Sequence, residues 1–184
     1  EMSKRYAGVP NVIYEICNEP NGDEVLWDTV IKPYAKEIIP IIRKNHKQAV
    51  ISVGTGKWSQ LVDDAAKNPL EYDNIMYSMH FYAGTHGEEL RNRVDFAREK
   101  GCAIFVTEWG ATTADGAGGK IYKEETNEWI RFINERNLSW CNWSFGSRKE
   151  ASAALKPDAK PGEYSLDSLT ESGSFVFSLL QQDR

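Results

Sequence analysis

Two glutamates stand where an apolar run gives way to a polar turn. Glu19 lies near the end of VIYEICNEPNG (12–22), and Glu108 lies near the end of AIFVTEWG (103–110). A pair of carboxyl groups at one site can divide the work of cleaving a glycosidic bond: one is held protonated and donates to the leaving oxygen, and the other is ionised and attacks the anomeric carbon. Taken alone, either acid reads equally as a solvated loop residue. The apolar runs leading into both favour the paired reading. Other candidates occupy equivalent positions. His80 and Tyr82 end NIMYSMHFY (74–82), Asn18 precedes Glu19, Trp58 follows AVISVG (49–54), and Trp143 falls within LSWCNWSF (138–145). A histidine ending an apolar run is either a structural residue or a partner of the acids. A tryptophan there is either core or a flat platform for a sugar ring, and Trp58 and the loop residue His86 stay open between such readings. Trp27, Trp129 and Trp140 are expected in the core, and Trp109 is expected to pack beneath or orient the Glu108 segment. The three histidines form no HxH or HExxH pair. The sequence therefore calls for no metal, and two tuned carboxyl groups need no organic cofactor.

The elements that must position these groups follow from the apolar periodicity. Five short runs rich in β-branched and aromatic residues (11–16, 49–54, 74–82, 103–110 and 138–145) read as buried strands. Helical patterns separate them, at 23–45, 59–66, 88–100, 124–136 and 169–180. In the first helix Val30, Ile31, Tyr34, Ile38, Ile41 and Ile42 are the expected apolar face, with Pro33 and Pro40 kinking or dividing it. The patches at 115–119 and 151–162 read as loops. Strand alternating with helix is the pattern of a parallel β/α architecture. No GxGxxG or GxxxxGK[ST] stretch is present, which counts against nucleotide-binding forms. Each candidate residue falls at the carboxyl end of a strand, where the catalytic groups of a (β/α)8 TIM barrel converge. The expectation is a single α/β domain over residues 1–184, a partial barrel of about five β/α units equivalent to strands 4–8. Its two end strands would expose unpaired edges. Completion of the cleft is expected from an N-terminal part or from homo-oligomerisation edge to edge. Glu15 shares the parity of Glu19, so it should point inward beneath the chemistry, with a partner expected from a strand outside this chain.

Composition narrows the partners. The chain has 184 residues, 41% hydrophobic and 27% charged, with a net charge of −5 and dispersed acids. That balance argues against nucleic acid and anionic membrane as partners. No apolar run approaches the roughly 20 residues of a membrane span. Cys17, Cys102 and Cys141 lie far apart without a CxxC pair, so all three read as small buried hydrophobes.

The ordered set VIYEICNEPNG, HFYAGTHG, IFVTEWG and WCNWSF followed by SAAL closely resembles the bacterial endoglucanases of glycoside hydrolase family 5, the Bacillus-type secreted cellulases above all. The resemblance implies a retaining, double-displacement hydrolysis of β-1,4-glucan. It assigns Glu19 as acid/base, Glu108 as nucleophile, His80 and Tyr82 as a pair on one strand with Tyr82 near the nucleophile oxygen, and Asn18 as a ligand of the sugar 2-hydroxyl. Trp143 and Trp58 become platforms on either side of the cleaved bond, and Arg148 and Glu150 contacts to sugar hydroxyls. Arginine at 148, where the family carries lysine, changes that last geometry. The partners implied are β-1,4-glucan and cello-oligosaccharides. The implied location is secreted, or extracellular, because cellulose is too large to import. A carbohydrate-binding domain without turnover, and a β-mannanase or other β-glucanase of the same family, are the alternatives.

Overall fold

The computed structural model describes residues 1–115 and 119–182, so part of the expected 115–119 loop lies outside the described residues. Five strands form one parallel sheet in the order β1-β2-β3-β4-β5, which is the chain order. They are β1 (Ile13–Glu15), β2 (Val50–Val53), β3 (Ile75–Tyr82), β4 (Ile104–Gly110) and β5 (Ser139–Asn142). Helix follows strand throughout: α2 (Lys32–Asn45) after β1, α4 (Val62–Lys67) after β2, preceded by the short turn α3 (Gly56–Ser59), whose residues Lys57, Trp58 and Ser59 are left-handed, α5 (Glu88–Glu99) after β3, α6 (Lys123–Glu135) after β4 and α7 (Glu171–Gln182) after β5. A short α1 (Met2–Arg5) precedes β1. The expected strands are all present but trimmed, β5 most of all, because only the segments that pair along the ladder count as strand.

The chain divides into two compact units, Glu1–His80 with Glu89–Val106, and Phe81–Glu88 with Thr107–Arg184. In the first unit the parallel register sets Glu15 opposite Ser52 and Ser52 opposite Met76. Ile51, Val53, Tyr77 and Met79 are buried, and between them lie buried serines, Ser52 and Ser78. Alternation along each strand therefore sends apolar residues to one face and hydroxyls to the other. Ser52 and Ser78 join through their hydroxyls at 2.8 Å, and Ser78 Oγ donates to Glu15 Oε1 at 2.7 Å. This corrects the expected partner of Glu15. It comes from β3, two strands away, because Ser52 is small enough to let the carboxylate reach past it. Glu15 is also exposed, so no isolated charge is buried.

A second correction concerns the phase of α2. Of the expected face, Ile42 and Ile31 just before the helix are buried and Ile38 is half-buried, whereas Val30, Tyr34 and Ile41 are exposed and Ala35 and Ile39 are buried in their place. A π-helical turn, Trp27–Ile31, leads into the helix. From its last residue the buried positions Ile31, Ala35, Ile39 and Ile42 follow at four, four and three residues, the ordinary α-helical spacing, so the stripe through Ala35 and Ile39 meets the core and the one through Tyr34 does not. Tyr34 faces solvent, and its hydroxyl donates to the Ile16 carbonyl at 2.6 Å. Neither proline divides the helix. Pro33 lies in the first turn, where its missing N–H is not needed, and Pro40 sits on the exposed side, where water can satisfy the released carbonyl.

The second unit is organised around stacked rings. Phe81 stacks on Trp129 (4.0 Å between centroids, 14°) and on Trp109 (5.7 Å, 8°), and Trp140 meets Trp109 edge-on at 5.4 Å. Trp27, in the first unit, and Trp129 are core as expected, while Trp140 is only half-buried. Along β5 the residues alternate between exposed and half-buried, which places Cys141 in solvent instead of the core, on the opposite side of the strand from Trp140. Cys102 is buried and Cys17 half-buried, and burial raises the pKa of both thiols. α7 closes against the loop after β5 at Gly173, where a Cβ would stand 2.1 Å from the Ala154 carbonyl oxygen. Among the described residues no helix is long and apolar enough to cross a membrane.

The first unit carries a pH-sensitive core contact. Tyr77 is buried edge-on against Trp27 (5.6 Å) and its oxygen accepts the Leu70 N–H at 2.9 Å. Burial pushes its phenol up to about 12, against the partial opposition of that hydrogen bond. The folded value lies above the unfolded one, so the stabilisation is fully present below about pH 10 and is lost as pH rises toward 12. Denaturant unfolding between pH 8 and 12 should show a fall of roughly 2–3 kcal/mol from this group. Tyr77→Phe should flatten that slope while lowering stability at pH 8 by about 1–3 kcal/mol, because the Leu70 N–H loses its acceptor.

Candidate active site

In the first unit the end of β1 runs into Cys17-Asn18-Glu19-Pro20 and meets the end of β3. His80 is 2% exposed, and its Nδ1 donates to Glu19 Oε1 at 2.9 Å. Glu19 itself keeps 29% of its side chain exposed, so one oxygen is held by a buried imidazole while the carboxyl group stays within reach of water. Asn18 is exposed beside it. Behind this segment lies the loop after β2. At Gly54 a Cβ would stand 2.3 Å from the Cys17 carbonyl oxygen and 2.7 Å from Pro20 Cδ, so only glycine permits the approach. Trp58 follows, with 48% of its surface exposed, and Ser59 Oγ donates to the Asn18 carbonyl at 2.8 Å. The structure thus gathers Asn18, Glu19, Trp58 and His80.

The second unit gathers the rest. Glu108 is 9% exposed and accepts a 2.8 Å hydrogen bond at Oε1 from the Tyr82 hydroxyl. The Tyr82 ring lies against Gly110, where a Cβ would come within 2.5 Å of the ring. The backbone N–H of Tyr82 donates to His86 Nδ1 at 2.8 Å, which puts the imidazole proton on Nε2, and the His86 carbonyl accepts from Trp129 Nε1 at 2.8 Å. His86 thus holds the backbone of Tyr82. Next to Glu108, the Trp109 carbonyl accepts from Asn142 Nδ2 (3.0 Å) and from the Trp143 N–H (2.8 Å). β5 is thereby tied to the strand carrying the carboxylate, and Trp143 remains 39% exposed after it. The peptide between Trp143 and Ser144 is cis. Arg148 is exposed on the following loop. Glu150 is half-buried, and its Oε1 is buried without a hydrogen-bond partner among the described residues, an acceptor suited to a ligand hydroxyl.

Motif reading missed Gly54, Ser59 and Gly110. Each acts by letting backbone or ring come close, or by bonding a carbonyl, and none of this is visible without the neighbour. The run Gly54-Thr55-Gly56 at a strand end was the available signal, since glycines there mark close backbone approach.

Strand alternates with helix, and each unit carries one carboxyl group at a strand end, Glu19 held by His80 and Glu108 held by Tyr82. Residues 1–149 match the family Cellulase (glycosyl hydrolase family 5), and the chain belongs to that family. It is 55% identical over 177 residues to Endoglucanase A of Evansella cellulosilytica, spanning 96% of this chain and 36% of that protein. It is 51% identical over 177 residues to Endoglucanase 5 of Pectobacterium carotovorum, spanning 96% and 35%. Among solved structures, Cellulase Cel5C_n superposes with a TM-score of 0.91 at 47% identity, over 97% of this chain and 55% of that one. Endoglucanase Cel5A (E5) of Thermobifida fusca superposes at 0.89 with 38% identity, over 98% and 60%, and a variant of it was solved with cellotetraose. The fold is accordingly the five-stranded portion of a (β/α)8 barrel. The chain spans a little over a third of the length of these curated relatives.

The seat of Tyr82 can be checked by a double-mutant cycle. Gly110→Ala should cost about 1–3 kcal/mol in denaturant unfolding because the new methyl group meets the ring. In a Tyr82→Ala background the same change should cost far less, with a coupling of at least about 0.5 kcal/mol. Strict additivity would mean that the ring does not rest on Gly110.

Proposed function

We propose that this chain carries the reacting groups of a retaining endo-β-1,4-glucanase. The observation that carries the reading is the unlike seating of two carboxyl groups at strand ends. Glu108 is nearly enclosed and receives a phenol hydrogen bond, as suits a nucleophile shielded from water. Glu19 is partly open and bonded to a buried imidazole, as suits a group that must exchange protons with substrate and then with water. In the first step Glu108 attacks the anomeric carbon while Glu19 gives its proton to the departing glycosidic oxygen. In the second, Glu19 takes a proton from water, the water attacks the same carbon, and Glu108 is released. Asn18 addresses the sugar 2-hydroxyl, Trp143 and Trp58 offer stacking faces, and Glu150 and Arg148 meet hydroxyls further along.

Membership of the family and the cellulase and endoglucanase names of its relatives support β-1,4-glucan as the substrate class. A polymer of that size does not enter cells, so we place the activity outside the cell. β1 and β5 stand at the two ends of the sheet, and Ile13 on β1 is half exposed. An edge of that kind is suited to pairing with further chain or with a second copy, which light scattering on the purified protein would detect.

The direct experiment measures reducing sugar released from carboxymethyl-cellulose and records the anomer first formed by proton NMR. The β-anomer is expected initially. Glu19→Gln should lose roughly 10²–10⁴-fold in turnover, and Glu108→Gln should abolish it. An initial α-anomer would overturn the retaining mechanism. Binding of cello-oligosaccharides without any hydrolysis would favour a binding domain, and preference for mannan would move the specificity within the family.

A further inference from the structure

Behind Glu19 lies a stretch of backbone that L-residues avoid. Lys57, Trp58 and Ser59 have φ values of 52, 55 and 58° in succession. None of the three is glycine, and a left-handed run of this length persists only where its surroundings impose it, which is most often at functional sites. Two hydrogen bonds lie within this turn's reach. The Trp58 N–H donates to the Pro20 carbonyl at 3.1 Å, and Ser59 Oγ donates to the Asn18 carbonyl at 2.8 Å. Those carbonyls flank Glu19 on both sides. Ser59 is fully buried and its oxygen also accepts the Thr55 N–H at 3.3 Å, so the hydroxyl is fixed at both ends. The close approach at Gly54 presses the same two segments together.

We infer that the 57–59 turn is a brace that sets the angle at which Glu19 delivers its proton, with Ser59 as the positioning residue, and that it couples this angle to occupancy of Trp58. The exposed indole sits on the backbone whose strain the brace holds. A sugar ring stacked on Trp58 stabilises the left-handed turn and with it the grip on both neighbours of Glu19. Ser59 touches no reacting atom; it acts through the backbone of the acid. The inference rests on the reading of Glu19 as acid/base and of Trp58 as a sugar platform.

The distinguishing variant is Ser59→Gly. Glycine suits positive φ better than serine, so a purely conformational role predicts an unharmed or more stable protein, whereas a positioning role predicts loss with the hydroxyl. Proton delivery matters most for poor leaving groups. On a series of aryl β-cellobiosides, Ser59→Gly should stay close to wild type with dinitrophenyl. It should fall about tenfold with phenyl and with cellotetraose, the equivalent of one hydrogen bond. Equal loss across the series, or none, overturns the brace. Glu19→Gln is run alongside: if it lacks the leaving-group dependence, the acid/base assignment fails and the fault does not lie with the brace. Amide hydrogen exchange gives a readout that needs no turnover. Protection of the Trp58 N–H should drop at least about tenfold more in Ser59→Gly than that of the core amides of β2, since one hydroxyl anchor is gone. In the wild type, cellotetraose should slow that exchange. Unchanged protection overturns the brace, and no slowing by cellotetraose overturns its coupling to Trp58.

Discussion

The hydrogen bond between His80 and Glu19 is the constraint around which the first unit is arranged. A glutamate at a strand end has three side-chain torsions and, left alone, would sample many positions in water. The imidazole that holds it is almost wholly buried, so it cannot follow such motion. Burial of His80 depends on β3 being flanked in the sheet. The hydroxyl ladder from Ser78 to Ser52 and Glu15 fills the polar face beneath it without leaving a donor unmet. The loop after β2 then holds the backbone on either side of Glu19. One side-chain contact therefore has a supporting layer below it and another behind it.

Two residues further along β3, Tyr82 does the corresponding work for Glu108 by a different route. Its phenol is held by three independent features: the hydroxyl bond to the carboxylate, the bare Gly110 beneath the ring, and the imidazole of His86 on its backbone N–H. His86 is in turn anchored to Trp129, which is stacked in the aromatic core through Phe81. Rings of this size dominate burial and move little, so they are a rigid bed for a group whose angle matters. A carboxylate held by a phenol and one held by an imidazole are not interchangeable, and the proposed mechanism uses that asymmetry.

Much of this was legible in the residues. The strand runs stand out because β-branched and aromatic residues cluster between polar turns, and the candidate groups stand out because they follow those runs. The errors share one cause. The buried stripe of α2 runs through Ala35 and Ile39 instead of Tyr34 and Ile41, and apolar spacing alone does not choose between two neighbouring stripes that both include isoleucines. Cys141 is exposed because β5 lies at the end of the sheet, a property of topology and not of the cysteine. Glu15 found its partner on β3 because of what stands opposite it on β2, which only the register reveals.

The sequence by itself determined the alternation of strand and helix, the parallel sheet and the family, and it marked the two carboxyl groups and their motif neighbours as candidates. These depend on local periodicity and on short ordered motifs, which are properties of the chain read in one dimension. Only the tertiary structure decided that His80 holds Glu19, that His86 bonds the backbone of Tyr82, and that Gly54, Ser59 and Gly110 matter. Those assignments depend on distances between segments tens of residues apart. A serine hydroxyl or a missing Cβ has no meaning until the carbonyl or ring that it meets has been brought beside it.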